Sequence, residues 1–156
     1  MEQQPEIVEN IWDERAATYE SLFEHFFFPS AINLIDMLKI KNSKHILELG
    51  SATGELTLHC LRTLKNAQSY TSVDSSKKMI EIATQKKLDS FGVNPNIKHE
   101  FVCASADNLS GIKDESIDTF IGSAILQDLP EQADLDRMLQ EAKRVLVKGG
   151  KIGLSG

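Results

Sequence analysis

His45-Ile46-Leu47-Glu48-Leu49-Gly50-Ser51-Ala52-Thr53-Gly54 is the stretch that decides the fold. Its first half is a short, mostly apolar run, as expected of a parallel strand buried on both faces. Its second half sets small residues between two glycines, which permit tight turns and close approach of a ligand to the backbone. Beyond Gly54, Leu56, Cys60, Leu61 and Leu64 recur at helical spacing. The segment therefore reads as strand, loop, helix.

The same alternation continues toward the C-terminus. Tyr70 to Val73 forms a second strand ending at Asp74, and Ser76 is placed to cap a helix carrying Met79, Ile80, Ala83 and Leu88. That helix stops near Phe91-Gly92, with Pro95 beyond. Ile97 to Ala104 and Ile117 to Ala124 give two more strands. Leu135, Leu139, Ala142, Val145 and Leu146 mark a last helix, which Lys148-Gly149-Gly150 ends before a fifth strand from Ile152 to Leu154. Upstream, Pro5 suits a first helical turn, and Ile7, Ile11, Ala16 and Tyr19 follow a loose helical period. Pro29-Ser30 reads as a break, with Ser30 capping a second helix to about Leu38. Alternating strands and helices imply one α/β domain over residues 1–156, with a parallel sheet covered on both faces. Residues 1–40 form a helical lid and residues 44–156 the core.

Composition narrows the class. The 156 residues are 41% hydrophobic and 26% charged, ordinary for a globular domain, with a formal net charge of -6. An acidic chain argues against nucleic acid as the main partner, because phosphate neutralisation supplies most non-specific affinity. No apolar run approaches a membrane span, and Met1 to Asn10 carries three Glu and no basic residue, unlike a secretory leader. Cys60 and Cys103 make no disulfide framework and fit core positions, which suggests a reduced, cytoplasmic setting. His25, His45, His59 and His99 lack metal-ligand spacing, so no metal site is expected. The Lys77-Lys78 and Lys86-Lys87 pairs read as solvated helix faces.

Two cofactor classes compete for the loop. A dinucleotide fingerprint laid on Gly50 needs Gly at position 52 and Gly or Ala at 55, where the chain has Ala52 and Glu55. A carboxylate at 55 would oppose a pyrophosphate at the helix N-terminus. The loop therefore disfavours NAD. Ala52 is tolerable at negative φ and harmful at positive φ.

The loop resembles the first motif, E/D-x-G-x-G-x-G, of class I S-adenosylmethionine-dependent methyltransferases, through Glu48, Gly50 and Gly54, with Ala52 at the middle glycine. Val73-Asp74-Ser75-Ser76-Lys77-Lys78-Met79-Ile80 is similar to the second motif, D-x-S-x-x-M-L/I. Ser105, Ala106 and Asp107 fall at the family's D-A-E stretch, and Ser123 to Pro130 at its A-x-L-H-H-L-x-D stretch, with Gln127 and Asp128 replacing both histidines. Arg144 to Gly150 resembles R-V-L-K-P-G-G, and Trp12 to Tyr19 resembles the W-D-x-R-A-x-x-Y lid segment. The resemblance spans about residues 11 to 154. It implies a Rossmann-like three-layer sandwich with a mostly parallel sheet in the order 3-2-1-4-5. It further implies that Glu48, Gly50, Ser51, Ala52 and Gly54 hold the methionine part of S-adenosylmethionine. Asp74 would take the ribose hydroxyls, and Ser75 and Met79 would lie near the adenine. Ser105, Ala106 or Asp107 would contact the adenine, while Tyr19, Ser123 and Gln127 would border the cofactor.

The expected reaction is transfer of the sulfonium methyl to a small-molecule acceptor. A base is needed only if the acceptor loses a proton early, and Asp128 could serve only if it faces the pocket. Relatives continue through a sixth and seventh strand, which are absent here. The expectations are a fragment, a chain that borrows an edge as a homodimer, or a shortened module that binds the cofactor or a partner without catalysis.

Overall fold

The computed structural model describes residues 11–129 and 131–156. The helical period read around Pro5 and Ile7 lies outside them. From residue 11 the chain is helical in short pieces: a 3-10 turn at Ala16–Thr18, a single α turn at Tyr19–Leu22 and a π turn at Phe23–Phe27. Helix α1, Phe28–Met37, follows directly. Pro29 does not break the helix, and Ser30 does not cap it. Proline lies in the first turn of α1, where its missing N–H has no intrahelical partner to lose.

Five strands and three further helices make up the core: β1 (His45–Leu49), α2 (Glu55–Thr63), β2 (Ser69–Asp74), α3 (Lys77–Leu88), β3 (Lys98–Cys103), β4 (Ile117–Gly122), α4 (Gln132–Val145) and β5 (Leu146–Leu154). The sheet order is β3-β2-β1-β4-β5, and every neighbouring pair is parallel. The order implied by the family resemblance is therefore the observed one.

Alternation along β1 separates the two faces. Ile46 packs with Ala31 and Ile35 of α1, Leu56, Cys60 and Leu61 of α2, and Tyr70 of β2. Leu47 and Leu49 pack on the other face with Val73, Phe120 and, from α4, Met138, Ala142 and Val145. Both faces are covered, which is why β1 and β4 are buried almost throughout. Cys60 lies in the core as expected, but Cys103 is exposed because it ends the edge strand β3.

The last helix ends at Val145, and β5 begins at Leu146 rather than Ile152. Ile117 faces Leu146 while Thr119 faces Lys151, so extra residues bulge out of β5 around Gly149, at φ +81°. The Gly149-Gly150 pair accommodates that bulge inside the strand rather than ending the helix. Arg144, one residue before α4 ends, donates to the carbonyls of Leu109 (2.8 Å) and Ile112 (2.9 Å). The basic residue of this motif thus ties the β3–β4 connection to α4.

The chain builds β1, β2 and β3 on one side and then crosses to β4 on the other. Strand order reverses at β1, and loops leaving the carboxyl ends of β1 and β4 diverge there, as expected for a ligand crevice.

Candidate functional site

The loop after β1 is held across the end of β2. The Gly50 and Ser51 N–H groups both donate to the Val73 carbonyl, at 2.8 and 2.9 Å. Gly50 (φ +73°) and Gly54 (φ +89°) take left-handed conformations natural to glycine. A Cβ on Gly50 would also come 2.5 Å from Ile125 Cγ2, so the loop after β4 leaves no room for a side chain. Ala52 is left-handed too, at φ +48°, a strain of about 1–2 kcal/mol for an L-residue. The harmful sign of φ is therefore the observed one. Its methyl is buried beside Ala16 and Met79, and Trp12 and Tyr19 pack on the same cluster.

Asp74 fixes that loop. Its Oδ2 accepts from the Ala52 N–H and its Oδ1 from the Ser76 N–H, both at 2.9 Å. Each oxygen keeps a second acceptor site. Burial pushes the Asp74 carboxyl above the ordinary carboxylate range; the two backbone donors oppose this, and Asp13 adds to it. Ser76 caps α3 as the sequence suggests, its Oγ accepting from the Met79 N–H at 3.2 Å.

These elements enclose a cleft of about 200 Å³ that opens to solvent. Of the sequence candidates, Tyr19, Gly50, Ala52, Asp74, Ser75, Met79, Ser105, Ala106, Ser123 and Gln127 line it. Glu48, Ser51, Gly54 and Asp107 stand off the wall. Gly54 is the N-cap of α2. The buried Ser51 hydroxyl has no partner among the described residues. Asp107 accepts from the Ser105 hydroxyl (2.6 Å) and pairs with Arg137 (3.4 Å). Glu48 points into the other face, where its Oε2 accepts from Thr57 Oγ1 (2.6 Å) and the Tyr70 hydroxyl (2.7 Å). Burial pushes Glu48 up to about 7, against the pull of those two donors.

The cleft also has walls that no candidate covered: Trp12 and Phe27 from the N-terminal helical segment, and Ile125, Asp128 and Leu129 after β4. Trp12 was visible in the W-D segment. Phe27 was not, because the π turn at Phe23–Phe27 shifts the helical phase. Asp128 had been conditional on facing the pocket, and it does.

The N-terminal helical segment is docked by charge and by aromatic contacts. Asp13 accepts from the Ser76 hydroxyl and, at 3.2 Å, from the Lys78 N–H at the start of α3. Trp12 meets Tyr19 edge-on at 6.0 Å, and Tyr19 stacks on Phe23 at 5.6 Å. Lys86 is no solvated face residue: it bridges Glu20 of this segment and Glu55 of α2. Asp13→Ala is expected to remove about 1 kcal/mol from docking of the segment, the scale of a lost helix cap. Hydrogen–deuterium exchange should then quicken several-fold across residues 11–27 while the β1 amides stay protected. Unchanged exchange over residues 11–27 would show that the aromatic contacts suffice.

The family model described as "Methyltransferase domain" matches residues 46–150. A putative protein N5-glutamine methyltransferase of Methanocaldococcus jannaschii is 26% identical over 133 residues, covering 79% of this chain and 66% of that protein. The demethylmenaquinone methyltransferase of Lactobacillus johnsonii is 27% identical over 118 residues, covering 75% of this chain and 45% of the relative. The chain thus spans about half to two thirds of the length of these curated relatives. Among solved structures, the DhpI–SAH complex superposes with a TM-score of 0.71 at 23% identity, over 95% of this chain and 66% of DhpI, a likeness of fold. The match runs from β1 through the Gly149-Gly150 bulge and takes in the cleft residues contributed by the strand ends, and the chain belongs to the methyltransferase-domain family.

Proposed function

We propose that the cleft binds S-adenosylmethionine and presents its methyl group to a small-molecule acceptor. The observation that carries this is the meeting of three strand ends in one cleft: the Gly50 loop, Asp74 and Ser105. The residues fit the cofactor. Asp74 has acceptor capacity left on both oxygens for two ribose hydroxyls. The buried Ser123 hydroxyl on the cleft wall has no partner among the described residues, so a bound polar group would complete it. No Lys, Arg or His lines the cleft among the described residues, which suits a sulfonium cofactor better than a pyrophosphate.

In this assignment Gly50 and Ala52 pass backbone along the methionine portion, with Glu48, Ser51 and Gly54 supporting the loop from behind. Met79 and Ser75 flank the adenine, and Ser105 and Ala106 reach its edge more directly than Asp107. Tyr19, Ser123 and Gln127 border the reacting end. Burial and the charges of Asp74, Asp128 and Glu48 push the Tyr19 phenol up, so it keeps its proton and acts as a donor. Bound there, the cofactor supplies a methyl carbon on positively charged sulfur. The chain's part is to hold that carbon in line with the acceptor and to exclude water beneath the lid. A cytoplasmic setting belongs to the same proposal. For the described residues, no helix is long and apolar enough to cross a membrane.

Calorimetric titration tests the assignment. S-adenosylmethionine and S-adenosylhomocysteine should each bind at least roughly tenfold more tightly than NAD, the scale of one well-made charged contact. Absence of heat with both sulfur ligands, in protein that melts cooperatively, would overturn it. Release of S-adenosylhomocysteine across a panel of small-molecule acceptors then separates turnover from binding alone.

A further inference from the structure

Two carboxylates line the cleft, and among the described residues no cation does. Asp74 is engaged by backbone donors at the end of β2. Asp128 is not. It ends the 3-10 turn Leu126–Asp128 after β4, its N–H donating to the Ile125 carbonyl at 3.0 Å. Its carboxylate takes no hydrogen bond and joins no ion pair among the described residues. Gln127 beside it also lines the cleft, but its side-chain amide is engaged, donating to the Ala124 carbonyl at 2.6 Å. Across the same wall Ser123, only 8% exposed, has the hydroxyl that lacks a partner. The turn therefore offers the cleft one uncommitted charged acceptor and one buried, unsatisfied hydroxyl. The N-terminal helical segment supplies Trp12 and Phe27, an apolar surface suited to the body of a small organic molecule.

Resting on the cofactor assignment above, we propose that Asp128 faces the incoming acceptor and takes its proton, and that the acceptor is a neutral N–H or O–H nucleophile with no phosphate or carboxylate beside the reacting atom. The nucleophile's lone pair forms the new bond to the methyl carbon. The carbon–sulfur bond breaks with its pair going to sulfur, which becomes a neutral thioether. The proton from the nucleophile passes to an Asp128 Oδ and then to solvent. An anionic acceptor would meet the like charge of Asp128 with no side-chain cation on the lining to offset it. The charges around Asp128 agree. Asp128 is exposed at the mouth of the cleft, where the neighbouring protein and the Asp74 charge push its carboxyl up to about 6 and Arg15 opposes them; Tyr19 stays a phenol. Arg15 itself stands outside the cleft lining, with its guanidinium 5.7 Å above the Trp12 ring. That shift brings the proton affinity of Asp128 closer to the operating range than that of an ordinary carboxylate.

Sinefungin tests this without turnover, because an amine-bearing carbon replaces its methylated sulfur. Its ammonium lies where the methyl and the acceptor atom meet. The measured quantity is the affinity ratio of sinefungin to S-adenosylhomocysteine, by calorimetry, for wild type and Asp128→Asn. Contacts of Asp74 with the shared nucleoside cancel in that ratio. The ratio should favour sinefungin in wild type and fall roughly tenfold or more in the variant, the scale of a charge-assisted hydrogen bond. In wild type alone it should fall as pH drops through about 6, a readout that remains if the variant does not fold. A ratio that is unchanged by the substitution, or flat in wild type from pH 5 to 8, overturns the role of Asp128 and leaves the cofactor assignment standing. Failure of folded wild type to bind either ligand overturns the cofactor assignment and this inference with it.

Discussion

Asp74→Ala is expected to weaken S-adenosylhomocysteine binding roughly ten- to hundredfold, about 1.5–3 kcal/mol, the scale of hydrogen bonds to a charged group. Two losses add. The carboxylate is the proposed acceptor for the ribose hydroxyls, and it also holds the Ala52 and Ser76 N–H groups that shape the loop and the start of α3. Ala52 is strained at φ +48°, so its conformation persists because the surroundings impose it. Without the Asp74 contact the loop is free to relax away from the cleft. Asp74→Asn keeps one acceptor oxygen and should fall between wild type and the alanine variant. Calorimetry on all three proteins, with melting curves to establish folding, checks the order. Affinity equal to wild type in the alanine variant would remove Asp74 from the site.

The parts of this site that could be read in the sequence are those that backbone geometry demands. Gly50 and Gly54 take positive φ, Ser76 caps α3, and Asp74 follows a strand whose end abuts the loop. Each requirement acts over a few residues, so it leaves a local mark. Long-range requirements left none. Ala52, at positive φ, donates its N–H to Asp74, 22 residues away. Lys86 is drawn from solvent by Glu20 and Glu55, from two separate elements. The helical phase that sends Phe27 to the cleft depends on a π turn, which no residue type announces. The entry to β5 is hidden in the sequence for a related reason. Leu146 continues the helical period of α4, and pairing with Ile117 decides that it belongs to the sheet. Asp128 was visible only as a departure from the family pattern. Its place on the cleft wall, with Gln127 engaged beside it, comes from the turn after β4.

Glu48 gives the second large effect, and it separates loop support from ligand contact. Its carboxyl bridges Thr57 of α2 and Tyr70 of β2, directly beneath the Gly50 loop. Burial raises it to about 7 in the folded protein, from an ordinary value near 4.5. Between those two values the folded state holds a proton that the unfolded chain has released. Stability therefore falls as pH rises through this window and levels off above about 7, with the full contribution present below about 4.5. The separation corresponds to on the order of 3 kcal/mol. Glu48→Gln keeps the neutral form at every pH and can accept from the same two hydroxyls, so it should not show this loss. Denaturant melts of both proteins from pH 5 to 8 should have wild type losing about 2–3 kcal/mol relative to the variant. Parallel stability curves would mean that Glu48 is ionised throughout, with Thr57 and Tyr70 overcoming its burial. S-adenosylhomocysteine affinity in the variant should stay within a few-fold of wild type, because the carboxyl lies behind the loop. A loss as deep as that of Asp74→Ala would instead bring Glu48 to the ligand, as the family motif implies.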